Sequence, residues 1–200
     1  MTIHTFGDLH SSSGWEYCDN VQTHHLGPIL CYSFGIEKLN RCNISNFNIK
    51  DNDSVIFSFG EIDCRCHIQK YITKDNSYKD IINKIIDNYV DAIKVNISNC
   101  KVKLKYISIF NIPPTPYKES IKNQDKAKFP LLGTDEERKI YRLYFNKCLD
   151  LKCKENNWIF FNIYNYYIDE NGFLNNILSD KNVHIKDGTF LKYFIDNYFI

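Results

Sequence analysis

Residues 4–13 of the chain read HTFGDLHSSS. This stretch predicts a short apolar strand that ends at a glycine and enters a loop with a carboxylate, an imidazole and three hydroxyls. Residues 60–67 read GEIDCRCH and follow the most hydrophobic predicted strand in the first half of the chain. If the two strands are neighbours in a parallel sheet, both loops leave its carboxyl edge, where open α/β sheets bind their ligands.

Size and composition favour a single globular domain over residues 1–200. A chain of 200 residues with 44% hydrophobic content can bury a sizeable core. Its 25 basic and 24 acidic residues are interspersed and give a formal net charge of +1, whereas nucleic-acid binders are usually more basic. We therefore expect no nucleic-acid partner. The sequence indicates no particular oligomeric state.

The amino terminus, residues 1–4, lacks the charged region and apolar run of a signal peptide. No apolar stretch is long enough to predict a membrane span. These features predict a cytoplasmic protein without a membrane partner. The eight cysteines form no C-x-x-C pair, so we expect free thiols and neither a bound metal nor another cofactor.

Strands and helices alternate along the sequence. Strands are predicted at 2–6, 21–26, 53–59, 102–112 and 158–163, and helices at 29–39, 77–98, 134–155 and 188–197. Prolines from position 113 onward end the fourth strand and open a loop that reaches Gly133. In helix 134–155, the predicted apolar face holds Ile140, Leu143, Tyr144, Cys148 and Leu151, and the charged residues form a solvated face.

This alternation predicts an α/β fold with a doubly wound parallel sheet and helices on both faces, in the three-layer flavodoxin-like arrangement. In such a fold, the loops after the strands carry the function. Most histidines of the chain lie in these loops, together with several carboxylates. The candidates are Asp8, His10 and Ser11 to Ser13 in the first loop, His24 and His25 in the second, Glu61, Asp63, Arg65, Cys66 and His67 in the third, and His184 before the last helix.

The same blocks resemble those of the SGNH (GDSL-like) hydrolases. In chain order they read GDLHS at 7–11, HHLGP at 24–28, GEIDCRCHI at 60–68 and DKNVH at 180–184. They are most similar to a branch with GDSHS, HHLGP and GEIDxRCH blocks, and the resemblance spans nearly the whole chain. It implies an SGNH-type fold and a hydrolase or acyltransferase whose ligand is a small-molecule or carbohydrate ester.

The resemblance also implies roles for single residues. His184 matches the family's general base, and Asp180 matches the carboxylate that orients it, with Asp187 as a second candidate. The remaining matches are Asp8 for the first-block Asp, Gly27 for the second-block Gly and Asp63 for the third-block Asn of the oxyanion hole.

Two positions depart from the family pattern. Leu9 occupies the place of the nucleophile, and a leucine side chain has no atom that attacks a carbonyl. Asp63 replaces an asparagine, and a carboxylate repels a developing oxyanion. We therefore expect Ser11 to act as the nucleophile and Arg65 or His67 to supply positive charge. His10 completes the expected substrate-binding set.

A non-catalytic module remains an alternative. An SGNH-like scaffold that has lost its nucleophile could keep a polar, aromatic pocket for a glycan or an acyl ligand. Trp15, Tyr17 and Tyr117 are candidates to stack on a sugar ring, although large aromatic side chains more often pack under loops.

A metal-dependent phosphoesterase is the second alternative, because GDLH also resembles the first motif of that family. Two metal ions would then be bound by Asp8, His10, Asp63, His67 and His184. Against this hypothesis, the sequence contains no Gly-Asn-His motif.

Overall fold

The computed structural model describes residues 1–122 and 128–199. Its centre is a parallel sheet of five strands in the order β2-β1-β3-β4-β5. The strands are β1 (Ile3–Gly7), β2 (Val21–His25), β3 (Ser54–Ser58), β4 (Ile107–Phe110) and β5 (Ile159–Phe161). The order reverses direction at β1, which lies between β2 and β3. The predicted doubly wound α/β fold is confirmed.

Among the described residues, four α-helices and a π-helix connect these strands, and a fifth α-helix follows β5. The α-helices are α1 (Cys31–Glu37), α2 (Ile68–Tyr71), α3 (Tyr78–Asn99), α4 (Asp135–Asn156) and α5 (Thr189–Tyr198). The π-helix covers Asp63–His67 and leads directly into α2. Capping boxes start both long helices, with Ser77 and Asp80 on α3 and Thr134 and Glu137 on α4.

Two apolar clusters cover the two faces of the sheet. Successive side chains of a strand point to opposite faces, so Phe57 packs in the cluster that contains α1, α3 and α4, and Ile56 packs in the cluster that contains α5. Trp15 also lies in the second cluster, where it contacts Phe110 and Phe161. Burial of both faces explains why the strands read as continuous apolar runs.

The apolar face of α4 differs from the prediction. Ile140, Leu143 and Leu151 are exposed, whereas Arg138 and Arg142 are completely buried together with other residues of the inner face. The prediction that the charged side chains of this helix face solvent is therefore wrong for Arg138 and Arg142. Their chemistry made them appear exposed, but both lie on the helix face that meets the sheet and the loop after β3.

Three further elements differ from the sequence-based prediction. Residues 102–106 do not join β4, which begins at Ile107. The third loop is helical, since residues 61–62 are α-helical and lead into the π-helix at Asp63–His67. The predicted loop from Pro113 to Gly133 contains a short 3₁₀ helix at Lys118–Ser120, and its residues 123–127 lie outside the described part of the chain.

All eight cysteines are free thiols, six of them buried. Burial raises the pKa of the Cys31, Cys42, Cys64 and Cys153 thiols, which keeps them in the unreactive thiol form. Within residues 1–122 and 128–199, no helix combines the length and the apolar character that crossing a membrane requires.

Candidate active site

A cleft of about 280 Å³ opens at the carboxyl ends of β1 and β3. In doubly wound sheets, ligands bind where the strand order reverses, and β1 is that point here. The lining residues come from all four sequence blocks: Asp8, Leu9, His10, His25, Pro28, Glu61, Ile62, Arg65 and His184. We call this depression the cleft.

Gly7 allows the first loop to turn tightly over β3. A Cβ atom on Gly7 would lie only 1.9 Å from the carbonyl oxygen of Ser58. In the observed turn, the Asp8 amide donates to that same oxygen at 3.2 Å. Only glycine fits so close an approach of two backbones, and the approach directs residues 8–10 into the cleft.

His184 and Asp180 form a dyad at the edge of the cleft. The Nδ1 atom of His184 lies 2.7 Å from Oδ2 of Asp180, and the His184 amide donates to the other carboxylate oxygen at 3.2 Å. The Nε2 atom of His184 has no hydrogen-bond partner in the described part of the chain and 14% of the side chain is exposed. Asp187, the second candidate to orient His184, accepts a hydrogen bond from the Thr189 amide and none from His184.

Burial, and then the positive charge of His10, lower the pKa of His184. The two imidazole rings lie 5.0 Å apart, centroid to centroid. A neutral His184 whose Nδ1 faces a carboxylate presents an unprotonated Nε2 atom to the cleft. This is the form that accepts a proton in general base catalysis.

His10 is the positively charged neighbour in this pair. Its Nδ1 atom lies 3.2 Å from Oδ1 of Asp8, and its Nε2 atom lies 3.1 Å from the Val183 carbonyl oxygen. Burial works to lower the pKa of His10, but the hydrogen bond and charge of Asp8 outweigh it and raise the pKa. Because both ring nitrogens face acceptors, the surroundings favour the protonated form of His10. It also ties the first loop to the segment that carries His184.

Glu61 is a buried carboxylate between two arginines. Its Oε1 atom accepts from Arg142 at 2.7 Å, and its Oε2 atom lies 3.2 Å from the Arg65 guanidinium. Burial works to raise the pKa of Glu61, but the charges of Arg65 and Arg142 outweigh it and hold the pKa below its usual range. Glu61 thus positions Arg65, which lines the cleft as its one arginine among the described residues.

The two candidate nucleophile positions differ sharply in exposure. Leu9 is 40% exposed and lines the cleft, whereas Ser11 is completely buried. The Ser11 hydroxyl donates to the Asp8 carbonyl oxygen at 2.8 Å and also lies 3.3 Å from the His24 carbonyl oxygen. A 3₁₀ helix at Leu9–Ser11 turns the serine inward. The expected approach of Ser11 to the substrate is therefore not observed.

Asp63 and His67 also point away from the cleft. Asp63 is completely buried and accepts hydrogen bonds from the amides of Cys31, at 2.6 Å, and Tyr32, at 3.2 Å. Burial raises its pKa to about 7, although these two amides oppose the shift. Asp63 therefore caps α1, and Ile62 faces the cleft from this segment instead.

The second-block glycine lies at the margin of the cleft. Gly27 has a φ of 92° and stands between His25 and Pro28, both of which line the cleft. Its role is to let the chain turn from β2 toward α1. The sequence predicts that six side chains converge: Asp8, Ser11, Asp63, Arg65, His67 and His184. Of these, Asp8, Arg65 and His184 line the cleft, and the other three do not.

The five residues proposed as metal ligands do not all lie in the cleft. Asp63 contacts α1, and His67 lines another depression with Tyr32. Within the described ranges, 1–122 and 128–199, no three His, Cys, Asp or Glu side chains are grouped to hold a metal ion. The five residues suggested for two metal ions do not form one site.

Arg142 is the member of the site that sequence reasoning missed. It was assigned to the solvated face of its helix because it is charged. A signal was present in its spacing, since Arg142, Phe145 and Leu149 recur at helical intervals and are all completely buried. An arginine on an apolar stripe indicates a buried carboxylate partner, and Glu61 is that partner.

Comparison with known proteins identifies the fold. No family model matches the sequence, and no curated protein matches it. Among solved structures, a member of the lipolytic G-D-S-L family from Veillonella parvula has a TM-score of 0.61 at 15% identity, covering 100% of this chain and 98% of that one. A GDSL-like lipase from Bacteroides thetaiotaomicron has a TM-score of 0.61 at 11% identity, covering 98% and 85%.

An acetylxylan esterase from Geobacillus stearothermophilus, solved as a catalytic mutant, is also similar. Its TM-score is 0.52 at 13% identity, with 97% of this chain and 91% of that chain covered. These similarities extend along the whole described sheet and its helices, and they agree with the resemblance carried by the four sequence blocks. The chain therefore has the fold of the SGNH (GDSL-like) hydrolases.

Proposed function

We propose that the chain is an SGNH-type hydrolase that cleaves small acyl esters with water as the nucleophile. The observation that carries this proposal is the His184 and Asp180 dyad, whose Nε2 atom is free at the edge of the cleft. The cleft volume of about 280 Å³ suits a small acyl group with part of its alcohol.

We take water as the nucleophile, because no hydroxyl, thiol or amine side chain is among the described residues that line the cleft. In the proposed reaction, Nε2 of His184 takes a proton from water, and the hydroxide attacks the ester carbonyl carbon. The carbon–oxygen bond to the alcohol then breaks, and the His184 imidazolium returns the proton to the leaving alkoxide. The products are the free acid and the alcohol.

Positive charge in the cleft favours this path. Arg65 and the His10 imidazolium lie on its walls, where they stabilise negative charge that develops on the carbonyl oxygen. The Leu9 substitution also leaves the main-chain amide at that position in place, and in the resembled family this amide belongs to the oxyanion hole. An alcohol in place of water would give acyl transfer by the same steps.

The acylated carbohydrates are the substrate class that we propose. The support is the resemblance of the sequence blocks and the acetylxylan esterase among the similar structures. Both are indirect, so the class is tested with acetylated xylosides beside a simple aryl ester.

The test is turnover of p-nitrophenyl acetate by the wild type and by His184→Ala and Asp180→Asn. We expect a measurable rate in the wild type and a loss of about 10²-fold or more in His184→Ala, the lower range for a general base. Ser11→Ala should retain turnover, and intact-mass spectra should show no acyl adduct. A rate equal in the wild type and His184→Ala contradicts the proposal, and an adduct on Ser11 contradicts the water route.

A non-catalytic binding protein is the second candidate function. The observation in its favour is Leu9, whose exposed side chain stands where the family has its nucleophile. A binder would show no turnover but would gain thermal stability with its ligand by mass action. Stabilisation by an acetylated xyloside that is recovered unhydrolysed would establish this candidate and exclude the hydrolase.

A further inference from the structure

A second depression, separate from the cleft, is lined in part by aromatic side chains. Its volume is about 240 Å³, and its walls are Tyr32, His67, Tyr71, Asn76, Asp80, Ile81, Lys84 and Ile85. We call it the aromatic pocket. The hydrolytic reaction proposed above uses none of these side chains.

Three rings form one continuous wall of the aromatic pocket. The His67 ring lies between the other two, 4.9 Å from Tyr32 and 4.6 Å from Tyr71, centroid to centroid. Tyr32 is 39% exposed and Tyr71 is 54% exposed, so their faces are open to a ligand. Ile81 and Ile85 of α3 are buried and close the floor. Flat aromatic faces above an apolar floor accept the C–H face of a ring-shaped ligand.

The hydrogen-bonding groups of this pocket remain available. Neither nitrogen of half-buried His67 has a hydrogen-bond partner within residues 1–122 and 128–199. Burial, and then the charge of Lys70, lower its pKa, so at neutral pH the ring carries one donor and one acceptor. Asn76 uses its side-chain amide nitrogen on the Tyr71 carbonyl oxygen, which leaves its oxygen free.

Charged groups of both signs complete the rim. Asp80 engages one carboxylate oxygen with Ser77 at the start of α3 and keeps the other for a ligand. Lys84 lies one helical turn further along α3 and lines the same pocket. The pocket thus combines donors on His67 and Lys84 with acceptors on His67, Asn76 and Asp80. Such a mixture suits the hydroxyl groups of a sugar, because each hydroxyl both donates and accepts a hydrogen bond.

The cleft and the aromatic pocket are lined by the same two segments. In the π-helix, Arg65 faces the cleft and His67 faces the pocket. In the segment that enters α1, Pro28 faces the cleft and Tyr32 faces the pocket. Asp63 holds the two segments together through its bond to the Tyr32 amide, at 3.2 Å. The two depressions therefore share the π-helix and the segment that leads into α1.

We propose that the aromatic pocket binds a sugar ring. Resting on the proposed function, we further propose that this ring belongs to the carbohydrate whose acyl ester occupies the cleft. The volume of about 240 Å³ admits one monosaccharide unit, so the pocket selects the alcohol part of the substrate while the cleft selects the acyl part.

The binding test uses unacylated sugars, so that it does not depend on turnover. Methyl β-D-xyloside, methyl β-D-glucoside and N-acetylglucosamine are titrated into the protein while the His67 ring signals are followed by NMR. We expect saturable shifts with at least one sugar, equal in the wild type and in His184→Ala. Tyr71→Ala should weaken binding about three- to tenfold, the size of one stacking contact.

Tyr193→Ala is the matched control, because Tyr193 on α5 is 52% exposed and lies outside the pocket. It should bind sugar as the wild type does. The proposal is overturned if no sugar in the panel shifts the His67 signals, or if Tyr71→Ala binds unchanged. It is also overturned if p-nitrophenol binds in a Tyr71-dependent manner and the sugars do not.

The link to the cleft is tested separately by kinetics. For an acetylated methyl xyloside, Tyr71→Ala should raise KM about three- to tenfold with kcat unchanged, whereas p-nitrophenyl acetate should show no change. An equal effect on both substrates would refute the proposal that the bound sugar belongs to the ester substrate, but not the proposal that the pocket binds a sugar. Sugar binding without any ester turnover would refute the proposed hydrolase and not this site.

Discussion

Arg142→Met tests whether the buried charge network holds the cleft together. The substitution keeps most of the side-chain volume but removes the 2.7 Å ion pair with Glu61. Arg142 is completely buried and Glu61 is 2% exposed, and breaking a buried pair costs about 3–5 kcal/mol. Because Arg65 still pairs with Glu61 at 3.2 Å, we expect a loss near the lower end, about 3 kcal/mol.

Urea unfolding at neutral pH measures this loss as a lower midpoint with an unchanged slope. A domain of this kind has about 5–15 kcal/mol to lose, so the variant stays folded. Arg41→Met is the matched control, since Arg41 pairs with Glu37 at the surface with 40% of its side chain exposed. Surface pairs contribute less than about 1 kcal/mol.

The pH dependence of the same loss identifies its cause. The pKa of Glu61 is held below its usual range in the wild type, so its ionised form stabilises the fold above the unfolded pKa of about 4.3. That contribution is lost as the pH falls through the folded pKa. The gap between wild type and Arg142→Met should therefore be widest at neutral pH and narrow below about pH 4.

Two results would refute this reasoning. A loss at neutral pH no larger than that of Arg41→Met would show that the buried pair contributes little. A gap that stays constant from neutral to acidic pH would show that lost packing, and not lost charge, destabilises the variant.

Three other expectations address single residues of the site. Asp63→Ala leaves the Cys31 and Tyr32 amides of α1 without their carboxylate acceptor, so urea unfolding should show a loss of about 1–3 kcal/mol; unchanged stability would contradict this capping role. Gly7→Ala drives a methyl group into the Ser58 carbonyl and should cost at least about 1–3 kcal/mol; an unaltered Tm would contradict the observed turn. The kcat/KM for p-nitrophenyl acetate should rise with pH through a pKa below the ordinary histidine value, because burial and His10 favour neutral His184; a rise seen only in the alkaline range would exclude His184 as the base.

The sequence blocks predict which loops meet at the cleft, because parallel strands bring their carboxyl ends to one edge of the sheet. Asp8, Arg65 and His184 are far apart in sequence yet line one cleft. The alternation of strands and helices likewise predicted the five-stranded sheet. The same rule cannot tell which way each side chain of a loop points.

Side-chain direction in these loops depends on helical turns that the sequence did not reveal. Consecutive residues differ in direction by about 100° in an α-helix and by about 120° in a 3₁₀ helix, so a helical loop sends neighbours to different sides. The 3₁₀ helix turns Ser11 inward while Leu9 stays in the cleft. The π-helix sends Asp63 to α1 and leaves Ile62 facing the cleft.

Burial of charge was the second property that the sequence concealed. Arg142 is charged, and charged residues on a long helix are mostly exposed. Its burial depends on Glu61, which lies 81 positions earlier in the chain. This pairing of two charges that are distant in sequence is recognised only when α4 and the loop after β3 are placed together.

Leu9→Ser tests the central proposal, which is that His184 acts as the general base of the cleft and that Leu9 occupies the position of the family's nucleophile. Leu9 is 40% exposed, so the substitution should leave the fold intact. We expect a fluorophosphonate probe to label Leu9→Ser at position 9, and to label neither the wild type nor Leu9→Ser combined with His184→Ala. A folded Leu9→Ser variant that the probe does not label would contradict the account.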